Sequence, residues 1–169
     1  NTTDGAHNIA IGTKAMGSTD CHTDGACDNV AIGRNAGVNI TCGDDNVLIG
    51  KCAGDGITCG TNNVAIGSEP GHRISSAASN ITIGRIAGSF ITTGENNVII
   101  GQDTGVALTD TSNTVLIGGF AGDAINHTDA NGTVAIGYQA GSAITSGIGN
   151  TAIGYQALDA EDDGDYNTA

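Results

Sequence analysis

Tryptophan is absent, and two Phe and three Tyr are the only aromatic side chains in 169 residues, which excludes a core centred on aromatic packing. Proline occurs once, so collagen-like and proline-rich extended classes are excluded as well. Basic residues are scarce: five Lys plus Arg stand against 18 Asp plus Glu, for a formal charge of −13. A nucleic-acid backbone rewards clustered cations, so no nucleic-acid partner is expected. No apolar run approaches the roughly 20 residues of a membrane-spanning helix, and no basic segment followed by an apolar one marks a targeting peptide. What is abundant is glycine, 28 residues, with a 38% hydrophobic content drawn mainly from Ala, Val and Ile.

The glycines are periodic. Ile-Gly pairs end at Gly12, Gly33, Gly50, Gly67, Gly84, Gly101, Gly118, Gly137 and Gly154, with successive spacings of 21, 17, 17, 17, 17, 17, 19 and 17 residues. The unit is therefore 17 long, with insertions after the first and seventh anchors. Ile11, Ile32, Ile49, Ile66, Ile83, Ile100, Ile117, Ile136 and Ile153 precede the glycines, and Val, Ile or Thr stands two residues earlier in every unit. Alternate β-branched positions followed by glycine describe a short strand ending in a turn. A second glycine follows at four residues in most units and an Ile or Leu three residues later, from Ile40 to Ile144, which predicts a second strand per unit. A helical solenoid is disfavoured by glycine at this density. The expectation is an all-β chain: a parallel β-solenoid (β-roll or β-helix) of about nine 17-residue coils, forming one repeat domain over residues 1–169. Stacking at about 4.8 Å per rung spans roughly 40 Å and places the nine isoleucines in one buried ladder. A lone period leaves handedness and cross-section open.

Side chains alternate along a strand, so the residue between the two β-branched positions is expected to face outward. That row reads Ala10, Ala31, Leu48, Ala65, Thr82, Ile99, Leu116, Ala135 and Ala152, apolar in all units but one. Leu48, Ile99 and Leu116 predict that the outer face is covered by self-association; simple exposure of small alanines is the competing reading.

Asn29-Val30-Ala31-Ile32-Gly33-Arg34-Asn35-Ala36-Gly37 and Asn150-Thr151-Ala152-Ile153-Gly154-Tyr155-Gln156-Ala157-Leu158 resemble repeats of bacteriophage tail-fibre proteins and, more distantly, the head repeats of trimeric autotransporter adhesins. The resemblance covers essentially the whole chain, although the adhesin heads have shorter coils. It implies an elongated parallel homotrimer used in attachment to a cell surface, located on a virion or outside the cell, and it does not imply an enzyme. The closing Asp165-Tyr166-Asn167-Thr168-Ala169 repeats the start of the unit without its Ile-Gly, as expected of a segment of a longer fibrous chain.

The chemistry-bearing residues are few. Cys21, Cys42 and Cys59 share one repeat phase, so a Cys42–Cys59 disulfide between adjacent rungs is geometrically allowed, and Cys21 with Cys27 could close the inserted loop. Cys52 is then free or bonded between chains, while buried thiols in a reducing compartment are the alternative. Cys21-His22 with Cys27 lacks the paired spacing of a zinc site, and His7, His72 and His127 fall at scattered phases of the repeat. Asp159, Glu161, Asp162, Asp163 and Asp165 lack calcium-loop spacing and read as a solvated turn. No cofactor, metal or catalytic centre is expected. Asn-x-Thr patterns at Asn1, Asn39, Asn80, Asn126 and Asn131 follow from a repeat rich in Asn and Thr and are assigned no role.

Three functions compete: a trimeric fibre or adhesin segment, a subunit of a self-assembling extracellular filament, and an ice-binding solenoid. Thr41, Thr58, Thr92, Thr109 and Thr145 share a phase, as ice binding would want, but Ser75 and Asn126 interrupt the column and no Thr-x-Thr doublet recurs from unit to unit. The lengthened stretches, Thr19-Asp20-Cys21-His22-Thr23-Asp24-Gly25-Ala26-Cys27 and Asn126-His127-Thr128-Asp129-Ala130-Asn131, are the candidate contacts for a cell-surface receptor or glycan, because insertions in solenoids project from one face. Tolerated loop drift is the alternative for each. Tyr138, Tyr155, Tyr166, Phe90 and Phe120 are too few to make sugar stacking a strong expectation.

Overall fold

The computed structural model describes residues 7–17 and 25–169. Nine three-residue strands follow one another: β1 (Ile9–Ile11), β2 (Val30–Ile32), β3 (Val47–Ile49), β4 (Val64–Ile66), β5 (Ile81–Ile83), β6 (Val98–Ile100), β7 (Val115–Ile117), β8 (Val134–Ile136) and β9 (Thr151–Ile153). They form a single parallel sheet in sequence order, and every pairing joins equivalent positions of consecutive coils, as in Val47↔Val64, Leu48↔Ala65 and Ile49↔Ile66. The chain is thus a parallel β-solenoid, and Thr151↔Thr168 begins one further rung.

Each coil holds one strand among the described residues, not the two expected. Ile40, Ile57 and Ile74 are buried, yet the segment around each runs through turns and bends. The reason is backbone conformation. Two residues past each anchor the chain enters the left-handed region, as at Asn35 (φ 60°) and Cys52 (φ 52°), and Gly37 and Gly54 do so again two residues on. Such residues break extended pairing. The ladder between coils nevertheless continues outside the sheet: Cys52 N donates to Arg34 O at 2.9 Å, Gly54 N to Pro70 O at 3.0 Å and Thr58 N to Ser75 O at 3.1 Å.

The anchor glycines stack directly on one another. A Cβ on Gly67 would lie 2.5 Å from the Gly84 carbonyl oxygen, so only glycine permits this rung spacing at the corner. Gly37 serves the interior instead, where a Cβ would meet the ends of Ile40 and Leu48 at 2.8 Å.

The core is the inside of the coil. It contains Ala31, Leu48, Ala65, Thr82, Ile99, Leu116, Ala135 and Ala152 from the strands, faced by Ile40, Ile57, Ile74, Ile91, Leu108, Ile125 and Ile144. A polar column runs beside them. Asn29, Asn46, Asn63, Asn80 and Asn97 are fully buried. The Asn46 amide nitrogen donates to Asn29 Oδ1 at 2.9 Å and to Gly60 O at 2.8 Å, while Asn46 Oδ1 accepts from the Asn63 backbone N at 3.0 Å. Asn63 repeats the pattern one rung on. An amide has the donors and acceptor lone pairs to complete this ladder, and an unmade bond there would cost roughly 1–3 kcal/mol. Thr114 takes the place of Asn and keeps only part of the pattern, its Oγ1 donating to Asn97 Oδ1 at 2.8 Å.

Candidate assembly surface

The strands' burial corrects the sequence expectation. Leu48, Ile99 and Leu116, expected on the outer oligomer face, are 0% exposed and point inward. The isoleucine ladder does stack, with Ile32↔Ile49 and Ile100↔Ile117 in register, but on the outside of the coil, where Ile32, Ile49, Ile66, Ile83, Ile100, Ile117 and Ile136 are half-buried and Ile11 and Ile153 exposed. The physical reason is parity: alternation says which residues share a side but not which side is inside, and a one-residue slip exchanges the faces. The asparagines share parity with the middle residues, and it is their amide ladder that draws this side inward.

The outer face therefore carries two parallel columns. One runs Val30, Val47, Val64, Ile81, Val98, Val115, the other Ile32 to Ile117, and β8 and β9 extend both. No charged side chain interrupts either column. β-Branched side chains are stiff, so the columns form a fixed ridged plane. Ionised groups sit on the remaining surface. Lys51 pairs with Glu69 at 2.6 Å and Arg85 with Asp103 at 2.6 Å, both spanning adjacent coils. The Lys51 hydrogen bond, then its charge, holds the Glu69 carboxyl below its usual range, whereas burial pushes that of Asp123 up.

Cys42 and Cys59 are bridged across adjacent coils with Cα atoms 4.6 Å apart, and Cys27 and Cys52 are thiols. Cys21, His22, Thr23 and Asp24 lie outside the described residues, so the first candidate partner loop has no structural account. In the second, Thr128–Ala130 forms a 3₁₀ turn; His127 caps it by accepting from Asp129 N at 3.2 Å, and Asn126, His127 and Asp129 are exposed. The threonine column is engaged in the backbone ladder: the Thr41, Thr58 and Thr92 hydroxyls donate to carbonyls of the following coil at 3.2, 2.9 and 3.1 Å. Phe120, Tyr138 and Tyr155 meet on one corner, with ring centroids 5.9 and 5.7 Å apart. A shallow concavity of about 180 Å³ is lined by Glu69, His72, Ile86, Ser89 and Phe90. Among the described residues no group of three His, Cys, Asp or Glu is placed to hold a metal ion, and no helix is long and apolar enough to cross a membrane.

No protein-family model, curated protein or solved structure matches the chain. The outer face was missed because invariant β-branched residues read as core. The available signal was the Asn four residues before seven of the nine anchor glycines, replaced by Thr at Thr114 and Thr133: a surface turn would accept Asp or Ser equally, whereas a buried ladder favours an amide or a hydroxyl that can complete its bonds.

Proposed function

We propose that the chain is a structural segment of a trimeric attachment fibre, of the phage tail-fibre or surface-adhesin kind, acting as a rigid shaft or head in host-cell attachment on a virion or outside the cell. The observation that carries this reading is the uncharged double column along the outer face of the sheet, Val or Ile at every position from β1 to β8 and broken only by Thr151 in β9. An apolar face of this length is costly to leave in water. Its repeat, about 4.8 Å per rung, is commensurate with another array of the same repeat, and the partner that supplies one is another copy of this chain. The charge of −13 keeps copies apart on their other surfaces and leaves this face as the place where they meet. A disulfide between adjacent coils supports an oxidising location. The threonine hydroxyls are committed within the chain, to carbonyls at Thr41, Thr58 and Thr92 and to the Asp110 and Asp162 carboxylates at Thr109 and Thr145, which argues against ice binding. Receptor or glycan contact, in this reading, falls to the lengthened stretches 19–27 and 126–131, and no catalytic step is involved.

The test is the mass in solution. Sedimentation at micromolar concentration is expected to give three times the 16.6 kDa chain mass. A monomer would refute self-association, and an open polymer would replace the fibre segment with a filament subunit.

A further inference from the structure

The aliphatic face has two edges, and they differ. On one side of each strand, beyond the Asn or Thr of the polar column, stands a residue held in the left-handed region; on the other side, directly after the anchor glycine, stands a second surface residue. At β2 the two are Asp28 and Arg34, and at β3 they are Asp45 and Lys51, all four exposed. From β4 to β7 the first edge is neutral (Asn62, Ser79, Asn96, Asn113), and the second carries only Arg85 among Ser68, Gln102 and Gly119. At β8 and β9 the first edge is Gly132 and Gly149 and the second is Tyr138 and Tyr155.

We propose that these edges are a register lock for self-association: Asp28 and Asp45 of one copy face Arg34 and Lys51 of the next, with all rungs level and all chains running the same way. This rests on the self-association proposed above. In any parallel arrangement about an axis along the solenoid, the first edge of one copy meets the second edge of its neighbour. With rungs level, two opposite-charge pairs form. A slip of one rung in either direction leaves one: Asp45 with Arg34, or Asp28 with Lys51. An antiparallel arrangement sets like edges together and forms none, because the second edge carries no acid and Asp28 and Asp45 meet no Lys or Arg. Size agrees independently at one rung: level rungs place the exposed Tyr138 opposite Gly132, where a Cβ would find no atom within 4 Å, whereas Gly149, opposite Tyr155, is already flanked by the chain's own Tyr166 ring, 3.0 Å from where a Cβ would lie. The internal contacts of Lys51 with Glu69 and of Asp28 with His7, at 2.6 and 3.2 Å, are exposed pairs of the kind that is readily exchanged. Charges rimming an apolar patch set orientation and partner choice more than bulk affinity.

The experiment reverses one edge at a time. Arg34→Glu with Lys51→Glu makes both edges acidic, and Asp28→Lys with Asp45→Lys makes both basic. Each pair is expected to weaken self-association in low salt by about tenfold or more in sedimentation equilibrium, and all four substitutions together are expected to restore it. Zero-length carbodiimide coupling of a mixture of ¹⁴N- and ¹⁵N-labelled wild-type chains reads the register without any variant. Mass spectrometry should find mixed-isotope Asp45–Lys51 links, which one chain cannot make because the strand separates the two edges. A wild-type chain that sediments as a monomer overturns both proposals. An oligomer that is indifferent to edge reversal, or that yields no mixed-isotope Asp45–Lys51 link, overturns the register lock alone.

Discussion

The two sides of the same nine strands obey different rules. On the inner side the middle position ranges from Ala31 to Leu48, Thr82 and Ile99, all fully buried. On the outer side the position before each glycine is Ile in every coil although it is only half-buried or exposed. A packed interior usually demands the stricter choice of side chain, since each added methylene must be accommodated. Here the interior is forgiving because the opposite wall supplies constant Ile or Leu and a glycine such as Gly37 that leaves room for whichever residue arrives. The uniformity of the outer side is not required by the single chain's core, and this difference is what motivates the proposed self-association.

Exchanging a charge between the two sides breaks the comparison most sharply. Ile99→Asp places an unpaired carboxylate in the dry interior and is expected to cost more than about 5 kcal/mol, abolishing the folded chain. Ile100→Asp, one residue on, is expected to leave a β-rich chain melting within a few degrees of wild type while reducing self-association at least about 100-fold, because the carboxylate is desolvated only in the assembly. Circular dichroism melts and sedimentation of the two variants side by side decide the point, and equal loss of fold in both would contradict the assignment of sides.

The asparagine column sharpens the same contrast from within. Asn63→Leu removes four bonds, those to Asn46 Oδ1 and Ala77 O and those accepted from the Asn80 backbone N and side-chain Nδ2, and should cost roughly 3 kcal/mol or more. Asn63→Thr should cost less, because Thr114 shows how a hydroxyl keeps the bond to the preceding amide oxygen. Denaturant unfolding that ranked Thr as badly as Leu would mean that the column fills space and its bonds matter little.

Much of this architecture was legible in the residues, and the part that was not failed at two points. Val-x-Ile-Gly every 17 residues specifies strand, turn and stacking, since β-branched residues favour extension and the glycine corner admits no side chain. The pattern is symmetric under inversion of the strand, so Leu48, Ile99 and Leu116 could be set on either side by alternation alone. The asparagines break the symmetry, but only once their amides are recognised as a ladder with internal partners. The missing second strand has a different origin: buried Ile40 and Ile57 look like strand residues, and although Asn35 tolerates the left-handed region, Cys52 and Ile86 at the same phase hide the turn that precedes them.

On the outer surface the effects are smaller. The Cys42–Cys59 bridge closes a loop of one coil, for which chain-entropy estimates give about 3 kcal/mol. Reduction, or Cys42→Ser with Cys59→Ser, should lower the melting temperature while leaving the sheet's circular dichroism unchanged at 25 °C, because the adjoining coils remain held by bonds such as that from Thr58 N to Ser75 O. Loss of the sheet on reduction would make the bridge a condition of folding.

The smallest expected effect lies at the corner beyond the outer face. Ile86 occupies the left-handed region at φ 61°, in a column where other coils place Asn35, Asp103 or Gln139. A β-branched side chain pays roughly 1–2 kcal/mol for that conformation, and Ile86 persists in it because its backbone N is held by Ser68 O at 3.0 Å and the coils on either side fix the corner. Ile86 also lines the concavity beside Phe90, so its side chain recovers part of the cost as partial burial. Ile86→Asn relieves the backbone and surrenders that burial, and the balance should be a gain of about 0.5–1 kcal/mol, read as a rise of a few degrees in melting temperature with self-association unchanged. A fall in melting temperature would mean that the apolar contact outweighs the strain. This corner would then follow the rule of the inner side, where packing decides the residue, rather than that of the face it adjoins.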